Sequence, residues 1–185
     1  MRIYRGAARV YVDGMRLRSL WSTLGLAIGL GLVAAPARAQ KAVFVVRHAE
    51  KVSEQDQTLT EAGRARARRL SEMLGNAGIS QIYATDTARA RDTAKPLAER
   101  LKLQIQTYDT GGGMSGAVDA RPFVASLQKD HPRDVILVVG HSNTIPDLLR
   151  ALGCAERISL AADAYDDLFV VVPKAGGATL VRLKY

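Results

Sequence analysis

Two short apolar runs in this chain each end on a histidine. Ala42-Val43-Phe44-Val45-Val46 leads into Arg47-His48-Ala49-Glu50, and Val135-Ile136-Leu137-Val138-Val139-Gly140 leads into His141-Ser142-Asn143. Runs this short and this rich in β-branched residues read as buried strands. Each strand then delivers a histidine at its C-terminal mouth, one of them preceded by arginine. Open α/β sheets bind ligands in the crevice beyond the carboxyl ends of their parallel strands. Two imidazoles and a guanidinium gathered there suit phosphoryl transfer to an imidazole.

Further strand-like runs lie at 81–84, 103–107 (weaker), 168–172 and 178–183, with helical spacing between them. Thr60 caps a predicted helix through about Gly75. Leu70, Met73 and Leu74 form its i, i+3, i+4 apolar patch, and Arg64, Arg66, Arg68 and Arg69 form a solvated side. A second helix is predicted from about Asp86 to Leu101, with Ala90, Ala94, Leu97, Ala98 and Leu101 as its stripe. A third runs from about Val118 to Lys129. A fourth follows His141, with Ile145, Leu148, Leu149 and Leu152 on one face, Pro146 in its first turn and Gly153 closing it. Gly111-Gly112-Gly113 and Gly116 mark a mobile loop, and the last two strands form a hairpin around Lys174-Ala175-Gly176-Gly177. The alternation predicts a three-layer α/β/α sandwich around a mostly parallel central sheet.

The first 39 residues obey another logic. Met15-Arg16-Leu17-Arg18 is a short basic start, Leu20 to Ala35 is apolar, and Ala37-Arg38-Ala39 offers small residues at the positions a signal peptidase reads. This is the layout of a secretory signal peptide, with Met15 as the expected initiator and cleavage expected after Ala39. The apolar stretch is short against the roughly 20 residues of a membrane span. No stable membrane anchor is therefore expected after cleavage, and the expected location is exported, periplasmic or secreted. The leader holds six of the 26 basic and one of the 18 acidic residues, which leaves 20 against 17 and turns a formal +8 into about +3. No basic stripe with interleaved aromatics survives the cut, which argues against nucleic acid as a partner. Residues 40–185 have the size of one domain. Their single cysteine, Cys154, reads as a buried small hydrophobe and excludes cysteine-based metal sites.

A third junction, Ile82-Tyr83-Ala84-Thr85-Asp86-Thr87-Ala88-Arg89, puts Arg89 in the first turn of the second helix, off its apolar stripe. A helix start offers free amides to an anion, and a guanidinium there makes a bidentate phosphate clamp. Four motifs now stand in order over about residues 42–152: Arg47-His48-Ala49-Glu50, Leu59-Thr60-Glu61-Ala62-Gly63-Arg64-Ala65, Arg89-Ala90 with Thr93-Ala94, and Gly140-His141-Ser142-Asn143-Thr144. Together they resemble the histidine phosphatase (phosphoglycerate mutase-like) superfamily, in the form of a small exported bacterial-type member.

The resemblance implies that His48 is the nucleophile, carrying a transient phosphohistidine. It implies that Arg47, Arg89 and His141 bind the phosphoryl oxygens, the two guanidiniums and an imidazolium supplying positive charge without a metal or other cofactor. It also implies a carboxylic acid that protonates the leaving group, after the strand that follows the second-arginine helix. Asp109 is the nearest candidate for that role, Glu50 the runner-up and Asp119 a third. Gln57 departs from the family, where many relatives carry a proline near that point.

Other residues read more plainly. His131 belongs to a surface turn and has no assigned role, Lys51 is a solvated neighbour of the site, and Thr85 and Ser142 are phosphate-loop donors or ordinary helix-start residues. The leading expectation is a metal-independent phosphomonoesterase acting on a phosphorylated small molecule, a phosphoprotein or a phosphorylated envelope glycan. A phosphomutase and a catalytically silent phosphate-binding protein are the alternatives. A mutase must keep its intermediate from water and usually needs inserts over the site, and the only extra stretch here is the glycine-rich loop.

Overall fold

The computed structural model describes residues 41–53, 55–110 and 119–185; the expected leader and the glycine-rich loop lie outside them. The strands are β1 (Ala42–Arg47), β2 (Gln81–Ala84), β3 (Ile105–Thr107), β4 (Val135–Gly140), β5 (Asp167–Lys174) and β6 (Gly177–Lys184). The helices are α1 (Glu61–Leu74), α2 (Ala88–Leu101), α3 (Arg121–Asp130) and α4 (Ile145–Ala151). They build one sheet in the order β3-β2-β4-β1-β5-β6. The first four strands pair in parallel, and the β5–β6 hairpin adds to β1 antiparallel.

Strand side chains alternate between faces, and both faces are covered. Val43, Val45, Ile136, Val138, Phe169 and Val171 pack with Phe123, Val124 and Leu127 of α3 and Ile145, Leu148 and Leu149 of α4. Val46, Ile82, Leu137, Val139 and Leu168 pack with Leu70 and Leu74 of α1 and Ala90, Ala94 and Leu97 of α2. The α/β/α layering is thus present with the predicted, mostly parallel sheet. Cys154 is buried in the α3/α4 layer.

Local chemistry sets the ends of the elements. The Thr60 hydroxyl accepts from the Gly63 amide at 3.0 Å and starts α1, with Glu61 suited to the positive end of the helix. Met73, expected in the apolar patch, is instead 44% exposed. The buried stripe of α1 runs through Gly63, Ala67, Leu70, Ser71 and Leu74, and at 3.6 residues per turn Met73 points about 100° away from its centre. Residues 103–104 do not join β3, because the Leu103 amide turns back to the Ala98 carbonyl at 2.9 Å and closes α2. The hairpin strands run further than the apolar runs suggest. Asp167 opens β5 with its side chain fully buried against Arg182 of β6, at 2.6 and 2.8 Å. A charge that reads as a strand breaker in one dimension is a cross-strand pair in three.

His131 is more than a surface turn. Its amide donates to Leu127 at the end of α3, and its ring joins the Tyr83 hydroxyl at 2.9 Å to the Asp134 carboxylate at 2.8 Å. It ties α3 to the start of β4, at the end of the sheet opposite the two motif histidines.

Candidate active site

The sheet order brings three junctions together. Arg47 of β1 is in register with Gly140 of β4, and Ala84 of β2 with Val139, so the residues following all three strands emerge side by side. The His48 amide donates to the Gly140 carbonyl at 2.9 Å, carrying the pairing one residue past β1. The rings of His48 and His141 lie 5.2 Å apart, tilted by 59°. Gly140 is required at this approach. A side chain there would place its first carbon 2.7 Å from the Tyr108 hydroxyl and 2.9 Å from Thr144 Oγ1, the oxygen that accepts from the His141 amide.

Both imidazoles have a defined proton arrangement. His48 is 3% exposed, and its Nδ1 lies 2.7 Å from the Ala49 carbonyl, which can only accept. Nδ1 therefore carries the hydrogen, and Nε2 keeps its lone pair. Burial lowers the pKa of His48 to about 3 against the opposing pull of that carbonyl, helped by the charges of His141, Arg89 and Arg47. His141 shows the mirror arrangement. Arg89 Nη2, a donor, faces its Nδ1 at 3.3 Å, so Nε2 carries the hydrogen and donates to Thr85 Oγ1 at 2.7 Å. Burial, then Arg89, Arg47 and Lys51, lower its pKa to about 4. Burial, with the two guanidiniums beside it, thus favours a neutral imidazole at 141 where an imidazolium was expected.

Arg47 is 6% exposed, and its Nη1 donates to the carbonyls of Ala161, Ala162 and Ala164 at 3.0, 2.9 and 3.2 Å. The Tyr165 ring lies 4.1 Å from its guanidinium carbon and 5.8 Å from the His48 ring. Arg89 sits in the first turn of α2, which the Thr87 side chain caps. The structure therefore brings Arg47, His48, Arg89 and His141 into one anion-receptive cluster at the carboxyl ends of β1, β2 and β4, with the Lys51 ammonium within electrostatic range of His141.

Residues 43–110 match the family model of the histidine phosphatase superfamily, branch 1. The matched stretch holds Arg47, His48 and Arg89 and is similar to that superfamily over 68 of the 185 residues. A comparison of the sequence with curated proteins gives no match. Among solved structures the fold resembles a mycobacterial glucosyl-3-phosphoglycerate phosphatase at 18% identity and TM-score 0.59, covering 78% of this chain and 98% of that one. It also resembles an Agrobacterium tumefaciens protein assigned as the phosphohistidine phosphatase SixA, at 22% identity and TM-score 0.60, covering 78% and 97%. A third is the alpha-ribazole phosphatase of Shigella flexneri, at 15% identity and TM-score 0.63, covering 78% and 96%.

The candidate carboxylates are placed less closely. Asp109 is exposed just beyond β3, separated from β1 by β2 and β4. Glu50 is engaged elsewhere: both its oxygens meet Arg66 of α1, at 2.8 to 3.0 Å. Burial pushes its carboxyl up, but the Arg66 hydrogen bonds and charge outweigh this and leave it lowered. Asp119 is bonded to Arg121, which pulls its pKa down to about 2. Thr85 serves His141, and Ser142 lies in the turn before α4. Among the described residues no cluster of three His, Cys, Asp or Glu side chains could hold a metal ion.

Two roles escaped the sequence. Thr93, read there only as part of a motif, is fully buried; its hydroxyl accepts from the Ala49 amide at 2.9 Å and donates to the Arg89 carbonyl at 2.7 Å, joining the two motifs. Tyr165 and the carbonyls before it belong to a loop with no periodicity or motif to flag it.

Proposed function

We propose that this chain is a phosphomonoester hydrolase that works through a phosphohistidine on His48, and that it does so outside the cytoplasm after loss of its leader. The observation that carries the reading is the 2.7 Å bond from His48 Nδ1 to the Ala49 carbonyl. It leaves an unprotonated Nε2 as nucleophile beside Arg47, Arg89 and His141, the groups that would hold and neutralise a phosphoryl group. In the first step Nε2 forms a bond to phosphorus as the ester P–O bond breaks, and the leaving oxygen takes a proton from an acid, for which Asp109 is the candidate. In the second, water attacks phosphorus and the N–P pair returns to Nε2. The water proton restores the acid. As negative charge builds on the equatorial oxygens, the two guanidiniums answer it, and His141 can donate once the anion offsets their charge on its ring.

The three similar structures bear the names of three different phosphatase substrates, so the fold supports the reaction class and leaves the substrate open: a phosphorylated small molecule, a phosphoprotein or a phosphorylated envelope glycan. Similar solved structures of the mycobacterial enzyme and of a protein histidine phosphatase SixA are complexes with inorganic phosphate and with tungstate, which supports an oxyanion as ligand here. The test is turnover of para-nitrophenyl phosphate in excess EDTA, beside His48→Ala. Turnover that survives chelation and disappears in the variant, with an acid-labile phosphoenzyme trapped in wild type, is expected. An active His48→Ala would sink the assignment, and bound phosphate without phosphoenzyme would favour a silent binding protein.

A further inference from the structure

We propose that the loop Ala161–Tyr165 is a clamp that fixes the orientation of Arg47, with Tyr165 as its positioning residue; the catalytic consequence rests on the phosphatase reading above. Arg47 is buried to 6% exposure, yet among the described residues no carboxylate is bonded to it. Three carbonyls from one loop converge on a single nitrogen, Nη1, which has two hydrogens to give. The Tyr165 ring covers the guanidinium at 4.1 Å, within the range of a cation–π contact. The neighbouring Nε is buried without an acceptor among the described residues. A buried guanidinium N–H without an acceptor is unfavourable until an anion takes it. The loop thus uses neutral groups to hold the cation, which keeps its positive charge unspent for a ligand.

The loop is built for this. Alanines at 161, 162 and 164 let the backbone approach the guanidinium, and a turn bond from the Ala164 amide to the Ala161 carbonyl, 3.1 Å, curls the carbonyls inward. Ile158 and Leu160 anchor its start against the α3/α4 core, and Asp167 anchors its end in β5. A free arginine loses side-chain freedom when it binds an anion; one already held loses little, and affinity rises accordingly. An ion pair would hold Arg47 as firmly but would compete with the phosphoryl group for its charge.

The test reads the clamp directly and then its consequence. Nitrogen-15 arginine labelling follows the Arg47 Nε–H resonance, identified by its loss in Arg47→Lys, in wild type, Tyr165→Phe and Tyr165→Leu; Tyr165→Met replaces the leucine variant if that one does not fold. The expected result is a slowly exchanging Nε–H in wild type and Tyr165→Phe that is lost in Tyr165→Leu. In parallel, KM for para-nitrophenyl phosphate and the inhibition constant of inorganic phosphate should rise about fivefold or more in Tyr165→Leu, as expected for loss of a desolvated cation–π contact, with a smaller change in kcat and recovery in Tyr165→Phe. A purely structural loop would shift the melting temperature without this split. An Arg47 Nε–H as protected in Tyr165→Leu as in wild type, or a Tyr165→Phe as damaged as Tyr165→Leu, overturns the clamp. A wild-type protein that ignores phosphate yet loses Nε–H protection in Tyr165→Leu upholds the clamp and removes the phosphatase reading instead.

Discussion

Acid should destabilise this domain earlier than its carboxylates alone would cause, because two buried histidines resist protonation. Burial takes His48 from 6.5 to about 3 and His141 from 6.5 to about 4. Both folded-state values lie below the unfolded one, so the unfolded chain binds protons first as pH falls. Stability is then fully present above pH 6.5 and drains away on the descent towards the folded values. At about 1.4 kcal/mol per pH unit for each group, lowering the pH from 7 to 5 removes about 2 kcal/mol per histidine, or about 4 kcal/mol for the pair. Small domains are stable by about 5–15 kcal/mol in total, so this is a large fraction. Glu50 and Asp167 also have lowered values, but they start from 4.5 and 3.8 and titrate mainly below this window. Urea unfolding followed by circular dichroism at pH 7 and pH 5, in wild type and in His48→Asn/His141→Asn, isolates the effect. The double variant should lose only about 1 kcal/mol between the two pH values. Equal losses in both proteins would mean that the imidazoles are not held neutral by burial, and the assignment of a neutral His48 nucleophile would lose its physical basis.

Three substitutions probe the scaffold of the site. In Gly63→Ala the new carbon would lie 2.3 Å from the Glu50 carbonyl; backbone cannot yield cheaply, and a loss of about 2 kcal/mol or more in urea unfolding is expected. Thr85→Val removes the acceptor of the His141 Nε2–H bond, which should lower kcat about tenfold, near 1.4 kcal/mol of transition-state stabilisation, while the melting temperature changes little. Thr93→Val strands the buried Ala49 amide and should cost about 1–3 kcal/mol in urea unfolding; an unchanged midpoint would show that the two motifs are not joined through this hydroxyl.

Much of the fold was legible because its signals are local. Buried strands announce themselves as short β-branched runs, and Thr60 and Gly153 mark helix ends by chemistry that acts within a few residues. What was not legible depends on contacts across the chain. The Ala161 carbonyl and Arg47 are 114 residues apart, and a carbonyl carries no side-chain signature, so nothing in the loop's composition announces its task. Asp167 reads as the end of a strand until the Arg182 side chain reaches it diagonally from β6, and Met73 reads as core until the sheet decides which side of α1 is covered.

The site itself depends on one fact of topology that the sequence does not contain. The motifs at 47–48, 85–89 and 141 are each visible as strand ends, but their meeting requires β4 to lie between β1 and β2. Neighbouring strands are about 4.8 Å apart, which matches the 5.2 Å between the two imidazoles. Were β4 on the far side of β2, His141 would stand two strand spacings from His48, beyond contact of the rings. Were it beyond β5, His141 would lose Thr85 and Arg89, and its tautomer would be unfixed. Inserting the fourth strand between the first two, late in the chain, is thus the step that makes a site out of three separate junctions.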